Sequence, residues 1–371
     1  MKKFLKIKSE IFGLDINDFS LKVVKLKEKN GGLILASTNE MEIKPGIIEG
    51  GIIKNENALA EIIKEACKTV KGEKLNTKYA IVSLPEERSF LQVIQMPEIE
   101  EKEMKSAAFF EVENYIPLSI DNIYVDFQKI LSDEEGHLDV LIVAMPKTIV
   151  DSYVSCLEKA GLVPFILEVE SQAIARALIK KEAGAPSSAI IDFGKNNTSF
   201  IIYSGDSIRF TCSINVGSGQ LTKAISGALK VDLNEAEKIK INNGLAAEDK
   251  SLNSKILEAA APVLGELVAQ IKKYIDFYLE HFFHEHLAAG GKVEKIILCG
   301  GGSSLKGLPD FLSQKLNTPV ETADALKDIL PARKNRQKNP VYSAIKNPLS
   351  FATALGLAER GIIESKQYPH I

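Results

Sequence analysis

Two stretches of this chain repeat one pattern, and the repeat limits its folds more than any other feature. "FGLDINDFSLKVV" begins at Phe12 and "IIDFGKNNTSFII" at Ile190. Each carries an apolar strand into an Asp, turns through short polar residues, and leaves through a hydroxyl residue into a second apolar strand. Asp15 and Ser20 hold these places in the first copy; Asp192, Gly194 and Thr198 hold them in the second. One such turn alone reads as an ordinary β-turn rich in Asn and Asp. A calcium loop is excluded, because counting from Asp15 the required glycine and closing glutamate fall on Ser20 and Leu26.

Two copies facing each other can do more, since they can grip a phosphate chain between them. Backbone N–H groups and the hydroxyls of Ser20 and Thr198 then face the phosphates, while Asp15 and Asp192 order magnesium, mostly through water. A third element, "LCGGGSSLKG", sets Gly300, Gly301, Gly302 and Ser303 between a strand and a helix. Such a turn lets backbone approach an adenosine closely. A triple glycine or a single Asp turn has little meaning by itself. All three in this order point to a phosphate-bearing ligand held between two lobes.

The chain has 371 residues, enough for two lobes with separate cores. Its formal net charge of -3 and 26% charged residues suit a globular protein with no nucleic-acid partner. The four cysteines, Cys67, Cys156, Cys212 and Cys299, are far apart and read as small apolar residues in a reducing compartment. The N-terminal stretch lacks the apolar core of a signal peptide, and "LDVLIVAMP" is too short to span a membrane. The expectation is a cytoplasmic protein that reaches any membrane only through another molecule.

Alternating apolar residues predict a meander of strands at the start, turning at Gly31 and Gly32. A helix over 56–71 follows, with Leu59, Ile62, Ile63, Ala66 and Val70 on one face. Residues 1–85 thus form the core of the N-terminal lobe, and residues 86–165 read as an inserted α+β module of strand, helix, two strands and helix. Residues 166–189 return to the first lobe, 190–345 make the C-terminal lobe, and 346–371 end the chain in a helix. The basic run "PARKNRQKNP" reads as a solvated loop.

These motifs resemble those of the actin-like ATPase superfamily, and the resemblance implies an α/β fold of two lobes around ATP and Mg2+. It also assigns roles. Glu170 in "EVESQAIARAL" matches the first connecting helix, where an acid or amide orients the attacking water. Glu237 and Lys240 in "NEAEKIK" match the adenosine motif, and Lys22 the phosphate-contacting lysine. "FATALGLAER" matches the second connecting helix, whose small residues permit close packing. The insertion, together with "IKKYIDFYLE", is similar to the PilM family of type IV pilus inner-membrane platforms, over nearly the whole chain.

That likeness implies a partner, the N-terminal cytoplasmic tail of a PilN-like bitopic membrane protein. It further implies contact with other platform proteins, leaves self-association open, and places the protein at the inner membrane through its partners. The first loop departs from the family pattern, with Asn17, Asp18 and Phe19 where small residues are usual. Asp18 is expected to add negative charge near the phosphates, with Lys195 of the second loop offsetting it. The chemistry expected is ATP binding with slow hydrolysis at most.

Two other readings stand beside this one. The related cell-division protein FtsA ends in an amphipathic membrane helix, and "GIIESKQYPHI" has no basic apolar stripe. A small-molecule kinase needs a carboxylate base aimed at a substrate hydroxyl, and none is assignable. His281, His284 and Glu285 in "EHFFHEH" share a helical face but lack a second cluster to complete a zinc shell. "VGSGQLTKAISG" imitates a dinucleotide fingerprint without its third glycine, and is expected to be a turn at the start of a helix.

Overall fold

Asn30 and Gly31, with φ of 52° and 77°, close the first hairpin as a turn of the type that matches strand twist. The turn therefore sits one residue earlier than the two glycines suggest. The computed structural model describes residues 10–97, 103, 106–109, 111, 112, 116, 118–130, 137–180, 186–281, 291–330 and 339–368. The run 331–338 and His284, Glu285 and His286 lie outside the described residues.

The first sheet begins with an antiparallel meander of β1 (Phe12–Ile16), β2 (Ser20–Lys29) and β3 (Gly32–Glu42). A small hairpin of β4 (Ile48–Glu49) and β5 (Ile52–Ile53) leads to α1 (Glu56–Lys68). Asn55 caps that helix by accepting from the Ala58 N–H at 3.0 Å, and the helix buries Leu59, Ala60, Ile63 and Ala66. The short β6 (Lys71–Gly72) pairs with β3, and β7 (Tyr79–Leu84) runs parallel to β1.

The second sheet repeats this plan. Its meander is β12 (Ser188–Phe193), β13 (Thr198–Ser204) and β14 (Ser207–Ile214), and β15 (Lys295–Cys299) lies parallel to β12 as β7 does to β1. A further parallel strand extends each sheet: β11 (Val163–Val169) beside β7, and β16 (Val320–Thr322) beside β15. The two-residue β17 (Ile329–Leu330) pairs with β3. The duplicated motif is thus the central hairpin of each sheet.

The inserted segment supplies β8 (Phe90–Pro97), β9 (Ile123–Ile130) and β10 (His137–Pro146), and residues 106–109, 111 and 112 are helical. Ile94, Val140 and Ile142 of these strands bury a core with Ala108 and Val112. Although its chain leaves and re-enters the first lobe, its strands extend the second sheet, in the order β14-β8-β10-β9. One residue pair, Phe210 with Gln92, joins β14 to β8. The buried Arg209 guanidinium reaches past that seam to the buried Asp139 carboxylate of β10.

The helix that closes the expected module, α2 (Lys147–Lys159), packs elsewhere. Its Ile149, Tyr153, Cys156 and Leu157 join Leu59, Ile63 and Leu14 in the first lobe's core. An amphipathic helix does not announce its partner, and this one covers α1 rather than the module's strands.

The second lobe carries α4 (Ser218–Leu229), α5 (Leu233–Asn243), the long α6 (Lys250–His281) and α7 (Leu308–Leu316). After α8 (Pro340–Ser343), the chain ends in α9 (Ala352–Gln367), which crosses α3 (Glu170–Leu178) between the two sheets. The crossing is close because Gly356 has no side chain: a Cβ there would lie 1.8 Å from the Ala173 carbonyl oxygen. Among the described residues no helix is long and apolar enough to cross a membrane.

Candidate functional site

The site is built where the two hairpins face each other. In the first, the buried Asp15 is held from two sides: Lys22 Nζ lies 3.3 Å from Oδ2, and Ser83 of β7 donates to Oδ1 at 3.1 Å. Ser83 also accepts the Ile16 N–H at 2.9 Å, which ties the carboxylate to the backbone of its own strand. Lys22 continues to the Ser20 hydroxyl at 2.9 Å, so one cation joins Asp15 and Ser20.

Asn17 and Asp18 serve the loop itself. The Asn17 Oδ1 accepts the N–H groups of Phe19 and Ser20, each at 3.0 Å, and shapes the turn. Asp18 accepts the N–H groups of Gly50 and Gly51 at 2.7 and 3.0 Å. The added charge expected near the phosphates is therefore committed to the β4–β5 turn. Lys195 stands over the Phe19 ring at 4.3 Å, a cation–π contact that joins the two loops.

In the second hairpin, Gly194 closes the turn by donating to the Asn197 carbonyl at 3.0 Å. Its own carbonyl accepts from the Ser218 N–H at 2.9 Å, and that of Lys195 from the Gly219 N–H at 2.8 Å, docking the loop on the start of α4. Thr198 differs from expectation: it is buried and its hydroxyl donates to the Val216 carbonyl at 2.6 Å, so it props the turn from behind. Ser303 likewise turns inward, donating to the Cys299 carbonyl.

Gly300 is where the third element meets the second. It has φ +86°, and a Cβ there would fall 2.1 Å from Asp192 Oδ1. Gly301 and Gly302 line a large cavity beside it, about 2030 Å³, together with Lys195, Thr222, Glu237 and Lys240. Lys240 is buried; its ammonium bonds the Thr222 hydroxyl at 2.8 Å and the Ser218 carbonyl at 3.2 Å, and pairs with Glu237 at 2.7 Å. Burial works to raise the Glu237 pKa, but the bonds from Lys240 and Thr222 and the Lys195 charge outweigh it and hold the carboxyl low.

The acids converge at the floor of the cleft. Burial pushes Asp192 up to about 6, and the neighbouring Asp15 adds to this while Lys22 works against it. Glu170, the first residue of α3, is raised well above the usual range, first by burial and then by Asp15, Glu87 and Asp192. Its Oε2 accepts the Glu86 N–H at 3.3 Å, and Glu86 in return accepts the Ser171 N–H at 3.2 Å. The structure thus brings Asp15, Asp192 and Glu170 into one electrostatic group, with Ser20 and Lys22 attached through Asp15.

Such a group accepts a hard cation readily, since positive charge relieves the mutual repulsion of carboxylates. Among the described residues no three His, Cys, Asp or Glu side chains converge as direct metal ligands. Magnesium binds through few protein oxygens and keeps several waters, so one or two carboxylates suffice to hold it. His281, from the zinc reading, stacks its ring on Phe277 at 4.3 Å.

Two parts of the cavity wall have no role in the sequence reading. Ser218, Gly219 and Gln220 at the start of α4 line it, so the turn expected only to begin a helix is also part of the site. The spacing Gly217-x-Gly219 after a strand is the available signal. Tyr342, Ser343 and residues 345–349 also line the cavity, tied to the glycine turn by the Gly300 N–H donating to the Leu349 carbonyl at 2.8 Å, and no local pattern there marks a ligand.

The family described as type IV pilus assembly protein PilM matches residues 13–362. Among solved structures, the PilM-PilN type IV pilus biogenesis complex is 27% identical, with a TM-score of 0.78, covering 96% of this chain and 99% of that one. MreB5 of Spiroplasma citri bound to ADP is 10% identical at a TM-score of 0.53, covering 99% and 100%, a likeness of fold alone. Cell division protein FtsA of Neisseria meningitidis serogroup B is 25% identical over 241 residues, which span 59% of this chain and 53% of that protein.

Proposed function

The chain belongs to the type IV pilus assembly protein PilM family, and from that premise we propose that it binds ATP with magnesium between its lobes. Bound nucleotide would set its grip on the N-terminal cytoplasmic tail of a PilN-like bitopic membrane protein. The observation that carries this reading is the pair of carboxylates brought by the duplicated hairpins, the buried Asp15 and the half-buried Asp192, beside a cavity of about 2030 Å³. Asp15 and Asp192 would hold magnesium through its water shell, and the ion would neutralise phosphate charge. Lys22 and Lys195 are the cations at the phosphate end, while Glu237, Lys240 and the glycines 300–302 form the nucleoside end.

Glu170 is the residue for orienting a water, and burial together with the neighbouring Asp15, Glu87 and Asp192 raises its pKa well above the usual carboxylate range. Slow turnover suits a switch, in which the two nucleotide states differ in partner affinity. The membrane is reached through the tail, and the similarity to PilM solved in complex with PilN supports that partner. Other platform proteins and a second copy of the chain are further contacts under the same reading. The FtsA relatives support a division protein more weakly: that of Neisseria meningitidis is 25% identical over 59% of this chain, and that of Enterococcus hirae 23% identical over 92%.

The test is a titration of the full chain with a fluorescent ATP analogue and magnesium, followed by the tail peptide with and without nucleotide. Asp15→Ala and Asp192→Ala are expected to weaken nucleotide binding at least tenfold, the scale of a lost charge-assisted contact. Parent-like binding by both variants would overturn the site. A deletion of 86–165 is unsuitable, because it removes Tyr153 and Leu157 from the first lobe's core.

A further inference from the structure

Asp18 does not serve the phosphate site, and its actual partners define a path to the root of the inserted segment. Its carboxylate accepts the N–H groups of Gly50 and Gly51, at 2.7 and 3.0 Å, across a gap of more than thirty residues in the chain. The other side of that turn is held by residues that flank and root the inserted segment. Arg88 Nε donates to the Gly50 carbonyl at 2.7 Å. Pro85 packs so closely on Gly51 that a Cβ there would meet its ring at 2.6 Å. Tyr153 donates to the Gly51 carbonyl at 3.3 Å from behind.

The same short turn, Glu86–Arg88, reaches the cleft floor. The Glu86 N–H donates to Glu170 and its carboxylate accepts from Ser171. One continuous set of polar and packed contacts therefore runs from the first hairpin through Asp18, the turn at 50–51 and Arg88 to Glu86 and Glu170.

We infer that Asp18 is a positioning residue that couples the first hairpin to the root of the inserted segment, so that ligand held at the hairpin is sensed at residues 86–89. This rests on the nucleotide reading for its ligand but not for its contacts. A chain of packed and hydrogen-bonded groups with two discrete arrangements can carry such coupling. A carboxylate spanning two backbone amides supplies the first link, and Arg88 the second. A merely structural Asp18 would hold its own turn and leave the far end unaffected.

Hydrogen exchange on the full chain separates these cases. Without nucleotide, Asp18→Asn is expected to speed exchange about tenfold or more at Gly50 and Gly51, as the loss of one bond to a charged group does. Faster exchange is also expected at residues 86–89. Arg88→Ala, which leaves the Asp18 bonds in place, should speed exchange at 86–89 while sparing the 15–20 loop. With saturating Mg-ATP, the parent should gain protection at 15–20, 48–53 and 86–89; Asp18→Asn should gain it at 15–20 alone. Change confined to Gly50 and Gly51 in ligand-free Asp18→Asn overturns the coupling, as does equal ATP-induced protection at 86–89 in parent and variant. If ATP protects neither 15–20 nor 190–199 in the parent, the nucleotide reading fails, and the ligand-free comparison still decides whether the path exists.

Discussion

Replacing Gly300 with alanine tests the site through a single methyl group. The position has φ +86°, a conformation that costs an L side chain about 1–3 kcal/mol. The added Cβ would stand 2.1 Å from Asp192 Oδ1 and 2.8 Å from the Phe193 backbone, where ordinary contact begins at 3.4 Å. The backbone on one side cannot yield without breaking β12, so the carboxylate moves, by about 1.3 Å if it alone gives way. Asp192 then no longer meets the water shell of a magnesium ion placed for Asp15. Loss of that contact is worth about 1.5–3 kcal/mol, so Mg-ATP should bind at least tenfold more weakly.

Fluorescent ATP titration measures the loss, and urea unfolding of the same sample shows that the lobe remains folded. Gly265→Ala on the exposed face of α6 is the control, because nothing lies within 4 Å of its Cβ and it is remote from the cavity lining. If Gly300→Ala binds Mg-ATP as tightly as Gly265→Ala and the parent, Asp192 does not act where the geometry places it.

Three other outcomes are expected. Glu170→Ala should retain ATP and lose whatever phosphate release the parent shows, itself far below a typical enzyme's roughly 10 per second; brisk release by the parent would contradict the switch. Arg209→Met alone strands the buried Asp139 charge and should cost about 3–5 kcal/mol in urea unfolding, whereas adding Asp139→Leu should recover most of it. Burial raises the Glu359 pKa to about 7 from 4.5, with Asp328 adding to the rise and Arg176 opposing it. The folded state then keeps a proton that the unfolded state has released. Stability should accordingly fall as pH rises from 4.5 to 7, by up to about 3 kcal/mol, and Glu359→Gln should flatten that slope.

Features set by local pattern are legible in the sequence. Both hairpins, the glycine turn at 300–302 and, of the face of α1, Leu59, Ile63 and Ala66 follow from short-range chemistry, while the helix ends at Lys68 and leaves Val70 outside it. Partners across long chain separations are not. Asp18 reads as a phosphate-site charge because its donors, the amides of Gly50 and Gly51, carry no sequence mark. Thr198 matches its motif in residue type, yet its hydroxyl is satisfied by the Val216 carbonyl, a choice of rotamer that no pattern encodes. The α2 helix has the amphipathic period of a module helix and of a lobe helix alike, and only packing decides between them. Residues 342–349 reach the cavity because α9 returns the chain between the lobes, so their role depends on topology rather than on composition.

The seam between β14 and β8 has a mechanical meaning. The inserted strands are bonded to one lobe, while Leu84 before them and α2 after them are built into the core of the other. The insertion is therefore fastened on both sides, bonded to the second sheet and packed through its flanks into the first lobe's core. Prising the lobes apart like a shell would peel Gln92 from Phe210 and draw Asp139 out of reach of Arg209. Separating the lobes therefore costs a strand pairing and a buried ion pair, and the insertion ties one lobe to the other.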